Sequence, residues 1–396
     1  MYRISTRSFS TAKRPKTAIM MMNMGGPKDL NEVRPFLHRL FSDREIIKLP
    51  FQKLAARFIL ERRVPKIIEQ YKLIGNGSPI HQWTHYQGKQ LVQIMDKISP
   101  QTAPHKYFIG FRYVHPMTEE TIHEIESQGI ERAIAFSQYP QYSCTTSGSS
   151  YNALARHYIN PKLKGDANID NFNRIETKGT LWSFLDRWST QPQLVKAFAQ
   201  LIREAVNRIE DPEDRKNAVL LFSAHSLPIE VVDRGDPYIH EVAATVNAVM
   251  QELGHFMPYR LVWQSKVGPK KWMGPSTENA IKGLAKNGRR HLVLIPIAFT
   301  SDHIETLYEM DYEYCDEVAK EAGITVTRTA SLNDNQVFIR GLGDVLSEHL
   351  KSGMPASNQY FLRCPMCTNP SCITTRQFIS AESAKLSEWT KAAYIE

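Results

Sequence analysis

The sequence predicts an α/β fold: two similar doubly wound parallel-sheet halves with a cleft between them, followed by a C-terminal extension that carries cysteines. Three observations lead there. Eight short apolar runs read as buried strands, and helical spacing fills the segments between them, a pattern that implies parallel pairing with helices on both faces. The runs fall into two series of four, separated by a long amphipathic stretch at 193–210, although no internal repeat proves duplication. Aromatic, histidine and carboxylate residues gather just after the runs, at the edge where open α/β sheets bind ligands. With 42% hydrophobic and 23% charged residues, the chain of 396 residues can bury an ample core. No apolar run approaches the length of a membrane span, so the chain is not expected to cross a bilayer. Its formal charge of +8 suits an acidic partner: nucleic acid, an anionic membrane surface or a polycarboxylate ligand.

The first residues, MYRISTRSFSTAKRPKTA, hold Arg3, Arg7, Lys13, Arg14 and Lys16, and the first acid is Asp29. A stretch rich in Arg and Ser and poor in acids reads as a mitochondrial transit peptide over 1–16, in preference to a plain basic tail. The first half is expected over 17–190. Its strands are TAIMMMNMGGP from Thr17, with Met24 at the exit, HKYFIGFRY from His105, RAIAFSQYP from Arg132 and a less regular TLWSFLDRW from Thr180, and a helical pattern covers 118–129. Over about 49–66, Leu49, Phe51, Leu54, Phe58 and Ile59 recur at helical spacing among Lys53, Arg57, Arg62, Arg63 and Lys66. That describes either a helix lying in an anionic membrane interface or an ordinary surface helix with its stripe packed inward. The loop IGNGSPIHQW from Ile74 is too irregular for a phosphate-binding fingerprint.

The second half, over 191–355, has strands AVLLFSAHS from Ala218, YRLVWQS from Tyr259, HLVLIPIAF from His291 and ITVTRTASL from Ile324. From Phe299 the chain switches to helical spacing, which places Asp302, Glu305, Glu309 and Glu313 along one face, with His303 at its head. Such a row is either a solvated acidic face or a line of oxygen ligands and proton acceptors entering the cleft, and its start at a strand exit favours the second. His225, after an apolar strand, suits a general base. No G-x-S-x-G elbow surrounds Ser223 or Ser226, which disfavours hydrolase chemistry. In the extension, 356–396, Cys364, Cys367 and Cys372 follow C-x2-C-x4-C. Three thiolates leave a four-coordinate site one ligand short, to be supplied by Cys144 or Cys315, and either zinc or an iron-sulfur cluster fits the spacing.

Taken together, NMGGP at Asn23, GFRYVHP at Gly110, AFSQYPQYS at Ala135, LFSAHSLP at Leu221, RLVWQSKVGP at Arg260 and IAFTSDHIETLYE at Ile297 resemble the ferrochelatase family. The resemblance implies a Rossmann-like chelatase fold and a lyase that inserts ferrous iron into protoporphyrin IX to give protohaem. This is the terminal step of haem biosynthesis, and two protons are released. It implies His225 as acceptor of the pyrrole protons, and Glu305 with Asp302, His303 and Glu309 as an acidic path. Met24, Tyr71, Ser78, Arg112, Tyr113, Tyr139 and Trp272 would shape the porphyrin pocket. The tail CPMCTNPSC resembles members that hold a 2Fe-2S cluster, with Cys144 as the remote ligand beside Cys364, Cys367 and Cys372, which leaves Cys315 free. A homodimer on the matrix side of the mitochondrial inner membrane, attached peripherally by the 49–66 lip and without nucleic acid, completes the expectation. Two departures are visible: Asn76 stands where glycine is usual, and 373–396 runs beyond the family pattern. A porphyrin carrier would need the pocket without the base or the acidic row, and a cluster-based redox sensor would need neither.

Overall fold

The structure is a computed structural model and describes residues 16–46, 51–159, 177, 179–268, 270–367 and 369–394. The expected targeting segment lies outside these residues except for Lys16, and so do residues 49 and 50 of the expected lip. Among the described residues, β1 (Thr17–Asn23), β2 (His105–Phe111), β3 (Arg132–Ser137) and β4 (Leu181–Leu185) form one sheet in the order β2-β1-β3-β4. A second sheet repeats the order as β6-β5-β7-β8, from β5 (Val219–His225), β6 (Tyr259–Gln264), β7 (His291–Pro296) and β8 (Thr325–Arg328). Every pairing is parallel. All eight expected strands are present, including the less regular one after Thr180.

The identical order fixes where a ligand can enter. In each half the winding reverses beside the first strand, so crevices open at the carboxyl ends of β1/β3 and β5/β7. β1 is buried along its whole length, as a strand covered by helices on both faces must be. Ile19 and Phe136 of the first sheet and Phe222 and Ile295 of the second belong to one continuous core, with Phe198 and Ile202 of helix Pro192–Asn207 between them. The helix Gln336–Ser352 crosses back to the first half, where a Cβ at Gly343 would come within 2.7 Å of Ile94.

Helix Leu30–Ser42 begins at Asp29, whose carboxylate accepts the N–H groups of Asn31 and Glu32. It packs against helix Gln52–Leu73, whose Ala56, Leu60 and Val64 meet Val33, Leu37 and Phe41. The other face of the same helix leaves Phe51, Leu54 and Phe58 85%, 73% and 63% exposed. The packed face matches the surface-helix expectation, and the other leaves an apolar patch uncovered.

The extension is built into the first half. Helix Pro370–Ser380 is fixed by Thr375 Oγ1, which donates to Asn152 Oδ1 (2.6 Å), and by Phe378 stacked on Tyr158. Helix Ser383–Tyr394 brings Trp389 over the buried Arg132, 5.7 Å from guanidinium to ring centroid, and Tyr394 OH to 2.9 Å from Ser99 Oγ. The Arg132 guanidinium donates to the carbonyls of Ala133 and Leu181 and to Ser183 Oγ, as a buried donor must find acceptors.

Candidate active site

The carboxyl edges of the two sheets meet. Thr300 Oγ1, after β7, donates to the Gln138 carbonyl after β3 (3.1 Å), and Gln87 Nε2 donates to the Thr300 carbonyl. Tyr71, Tyr139 and Tyr238 come from three different elements. Burial raises the phenol pKa of each, and the charge of Glu305 adds to the rise, with the Met24 hydrogen bond opposing it at Tyr139, so one carboxylate acts on all three.

His225 ends β5. Its Nδ1 donates to the Ser226 carbonyl at 2.6 Å, so in the neutral ring the lone pair is on Nε2, which faces Glu305 Oε1 at 3.6 Å. Trp272 lies beside it, with ring centroids 6.3 Å apart, and is held by its indole N–H on the Val267 carbonyl. The second oxygen of Glu305 is 3.4 Å from His303 Nε2, and His303 Nδ1 donates to the Ser301 carbonyl. Burial alone would raise the Glu305 carboxyl, but the imidazoles of His225 and His303 outweigh it and hold the group below its ordinary value. Burial would lower His303, and Glu305 reverses that, so its pKa is raised. Glu305 is thus a carboxylate bracketed by two imidazoles.

Beyond Glu305 the acids become easier to protonate. Glu309 accepts from Gln264 Nε2 (3.0 Å), Ser265 N (2.6 Å), Ser265 Oγ and Tyr314 OH (3.0 Å), yet burial and the charge of Glu305 raise its pKa. Burial and Glu309 push Glu313 up to about 7, with Lys66 opposing. The row sits on Glu305–Val318, a wide π-type helix and not the expected α-helix. Such i→i+5 turns are uncommon and often mark functional sites.

Asp302 departs from the expected row. Its carboxylate accepts from Thr306 Oγ1 (2.9 Å), Ser331 Oγ (2.6 Å), Asn333 Nδ2 (2.7 Å) and Arg328 (3.3 Å). It is a buried anchor for the turn that follows β7, because residues preceding the wide helix do not share its face.

At the β1 exit, Tyr139 OH donates to Asn23 Oδ1 (3.2 Å) and accepts the Met24 N–H (3.1 Å), which joins two expected pocket residues. Ser78 closes over the same turn through Ser78 N to the Pro27 carbonyl (2.7 Å), an approach that needs Gly26, where a Cβ would sit 2.8 Å from Ser78. Arg112 and Tyr113 follow β2, and both donate to Asp43 Oδ2 at 2.7 Å. The cation expected to meet an acidic ligand therefore already has a carboxylate, although its buried Nε has no hydrogen-bond partner among the described residues. Asp43 lies 69 residues from Arg112, so no local pattern signals it. Tyr238 was likewise invisible to motif and spacing.

Cys144, Cys364, Cys367 and Cys372 line one small cavity together with Arg363 and Arg376. Cys315 is elsewhere, packed at the edge of the second sheet's core. The Cys144 turn is held by Asp236, which accepts Cys144 N (2.8 Å) and Ser143 Oγ (3.1 Å), and by Glu241, which accepts Tyr142 N (2.7 Å). Asn152 Nδ2 lies 3.7 Å from Cys372 Sγ and Asn369 N lies 3.5 Å from Cys367 Sγ. No three of the four sulfur atoms come within 4.8 Å of one another.

The ferrochelatase family profile matches residues 16–350. The chain is 52% identical to the mitochondrial ferrochelatase of Bos taurus over 372 residues, covering 93% of this chain and 86% of that protein. It is 52% identical to that of Homo sapiens, covering 93% and 84%. Against the mitochondrial ferrochelatase of Schizosaccharomyces pombe the identity is 46%, covering 92% and 82%. A profile matched along most of the sequence, and a relative 52% identical over 93% of the chain, mean that the chain belongs to the ferrochelatase family.

Proposed function

We propose that His225 accepts the pyrrole protons in the reaction this family performs, and that Glu305 carries the charge so formed. The enzyme inserts ferrous iron into protoporphyrin, the terminal step of haem biosynthesis, and is mitochondrial like its relatives. A free-base porphyrin must lose two protons as a divalent ion enters, so the site needs a basic lone pair aimed at the macrocycle and an exit for positive charge. The observation that carries the proposal is the tautomer of His225. With Nδ1 committed to the Ser226 carbonyl, Nε2 is the acceptor, and the Glu305 carboxylate 3.6 Å away stabilises the imidazolium that forms. His303, on the other Glu305 oxygen, offers the next proton site, and the rise in carboxyl pKa towards Glu309 and Glu313 lets protons be taken up and released outward.

Met24, Tyr71, Ser78, Tyr139 and Trp272 are the proposed walls of the porphyrin pocket, a setting suited to a flat apolar ring. Arg112 and Tyr113 reach an acidic substituent of that ring by exchanging Asp43 for it, and the unpartnered Arg112 Nε is the donor in reserve. Asp302 supports the turn that presents His303 and Glu305.

The four-cysteine cavity is proposed to hold a 2Fe-2S cluster. Four cysteine thiolates suit either a tetrahedral zinc or a 2Fe-2S centre, and the resemblance of the CPMCTNPSC tail favours the cluster. Such a cluster supplies a one-electron redox centre when bound. Here Cys144, Cys364, Cys367 and Cys372 also tie the extension to the body, and the cations Arg363 and Arg376 lining the cavity offset thiolate charge.

Peripheral attachment to the matrix face of the inner membrane is supported by exposed Phe51, Leu54 and Phe58 on a helix that also bears Lys53, Arg57, Arg62, Arg63 and Lys66. Among the described residues no helix is long and apolar enough to cross a membrane. A targeting role for 1–16 rests on composition, and a homodimer on the family resemblance. The deciding experiment is anaerobic turnover of ferrous iron and protoporphyrin IX by the parent and by His225→Ala. The variant should fold and bind porphyrin but lose roughly 10²-fold or more in rate, the scale of a general base. Full activity in a folded His225→Ala protein refutes the role, and a parent that binds porphyrin without turnover is a carrier.

A further inference from the structure

His123, Glu126 and His157 form a group that the chelatase chemistry does not use. His123 and Glu126 lie three residues apart on helix Thr118–Ser127, and His157 faces them from helix Ser149–Tyr158. Each offers a ligand atom, and these atoms all lie within 4.8 Å of one another. The two imidazoles meet edge to face, with centroids 4.8 Å apart at 81°. Two imidazoles and a carboxylate are a common ligand set for zinc and for ferrous iron.

A second observation concerns the carboxylate. Tyr158 OH donates to Glu126 Oε1 at 2.9 Å and itself accepts the Trp182 indole N–H at 3.0 Å. Trp182 and Tyr158 are buried in the core of the first sheet. A fixed chain of donors therefore orients Glu126 from the protein interior, the arrangement that outer-shell groups provide around metal ligands. A carboxylate oxygen of Glu126 lies within 4.8 Å of both histidine ligand atoms, and His123 is exposed and can turn inward.

We propose that His123, Glu126 and His157 bind a first-row divalent cation of the zinc and ferrous class, with water completing the coordination. Contraction from the present spacing to the separation of about 3.3 Å expected between ligands on a tetrahedral ion with bonds near 2.0 Å needs only side-chain rotation. The bound ion would clip together two crossover helices of the first half, one of which also carries Asn152 beside Cys372.

The test uses the full-length, cluster-loaded protein, chelator-washed and dialysed to equilibrium against zinc, with bound metal counted by mass spectrometry. His123→Ala and Glu126→Gln should each hold one zinc fewer per chain than the parent, and the zinc-dependent rise in melting temperature should shrink. Tyr158→Phe, which keeps the ring and loses the donor, should weaken the same site about tenfold. Chelatase activity should stay at the parent level in His123→Ala. Because zinc elsewhere on the protein contributes equally to parent and variants, an unchanged zinc count in both His123→Ala and Glu126→Gln overturns the proposal.

Discussion

Asp302→Ala separates an anchor from a catalyst. The substitution removes the acceptor for Thr306, Ser331 and Asn333 and one of the two carboxylates on Arg328, whose other partner is Asp311 at 2.6 Å. Side chains at 302 and 328 are 15% and 12% exposed, so the pair counts as largely buried. Removing one member of such a pair costs about 3–5 kcal/mol. Arg328 keeps Asp311, so the lower end, about 3 kcal/mol, applies. At roughly 2 °C per kcal/mol for a large domain, the melting temperature should fall by about 6 °C. Acid should narrow the gap. Burial opposes ionisation of Asp302, but Arg328 and the hydrogen bonds outweigh it, so its folded pKa lies below the ordinary value. Its contribution is therefore present above about pH 4 and is lost as pH falls through the folded value. Calorimetry from about pH 2.5 to pH 8, paired with chelation rates at 20 °C, measures both effects. A variant that melts with the parent yet loses chelation refutes the anchor and returns Asp302 to the chemistry.

Phe51→Ser, Leu54→Ser and Phe58→Ser combined should weaken binding to anionic vesicles roughly 10²-fold or more, since full burial of each such side chain contributes about 1.5–3 kcal/mol. Unchanged co-sedimentation would exclude this helix as the membrane contact. Cys144→Ser should abolish the visible spectrum of the cluster whereas Cys315→Ser leaves it intact, because only Cys144 shares the cavity with the tail thiols. The reverse pattern would redraw the ligand set.

What the sequence made legible was whatever one strand or one turn determines. Continuous apolar runs marked all eight strands, and the residues just beyond them, Met24, Tyr139, His225 and Glu305, do converge. The sequence was silent where a side chain is claimed by a distant partner. Arg112 looked available because Asp43, on another element, carries no signature, and Asp302 looked like part of a helical row because spacing cannot show where a helix begins or that it is wound wide. Helix Gln52–Leu73 defeated an either-or reading because it has two apolar faces, one packed and one bare. Three cysteines lie close in sequence, and folding brings Cys144, not Cys315, to their cavity: Cys144 stands in a turn held by Asp236 and Glu241 from the other half.

The seating of Trp389 on Arg132 and of Tyr394 on Ser99 bears on how the chain is made. A ribosome releases the first sheet long before residues 383–394 leave the exit tunnel, and domains tend to fold in order of synthesis. During that interval Arg132 is without its aromatic cover and the face around Ser99 is open. The first sheet is therefore completed only when residues 383–394 arrive, and a chain lacking them would leave a surface for chaperones to hold.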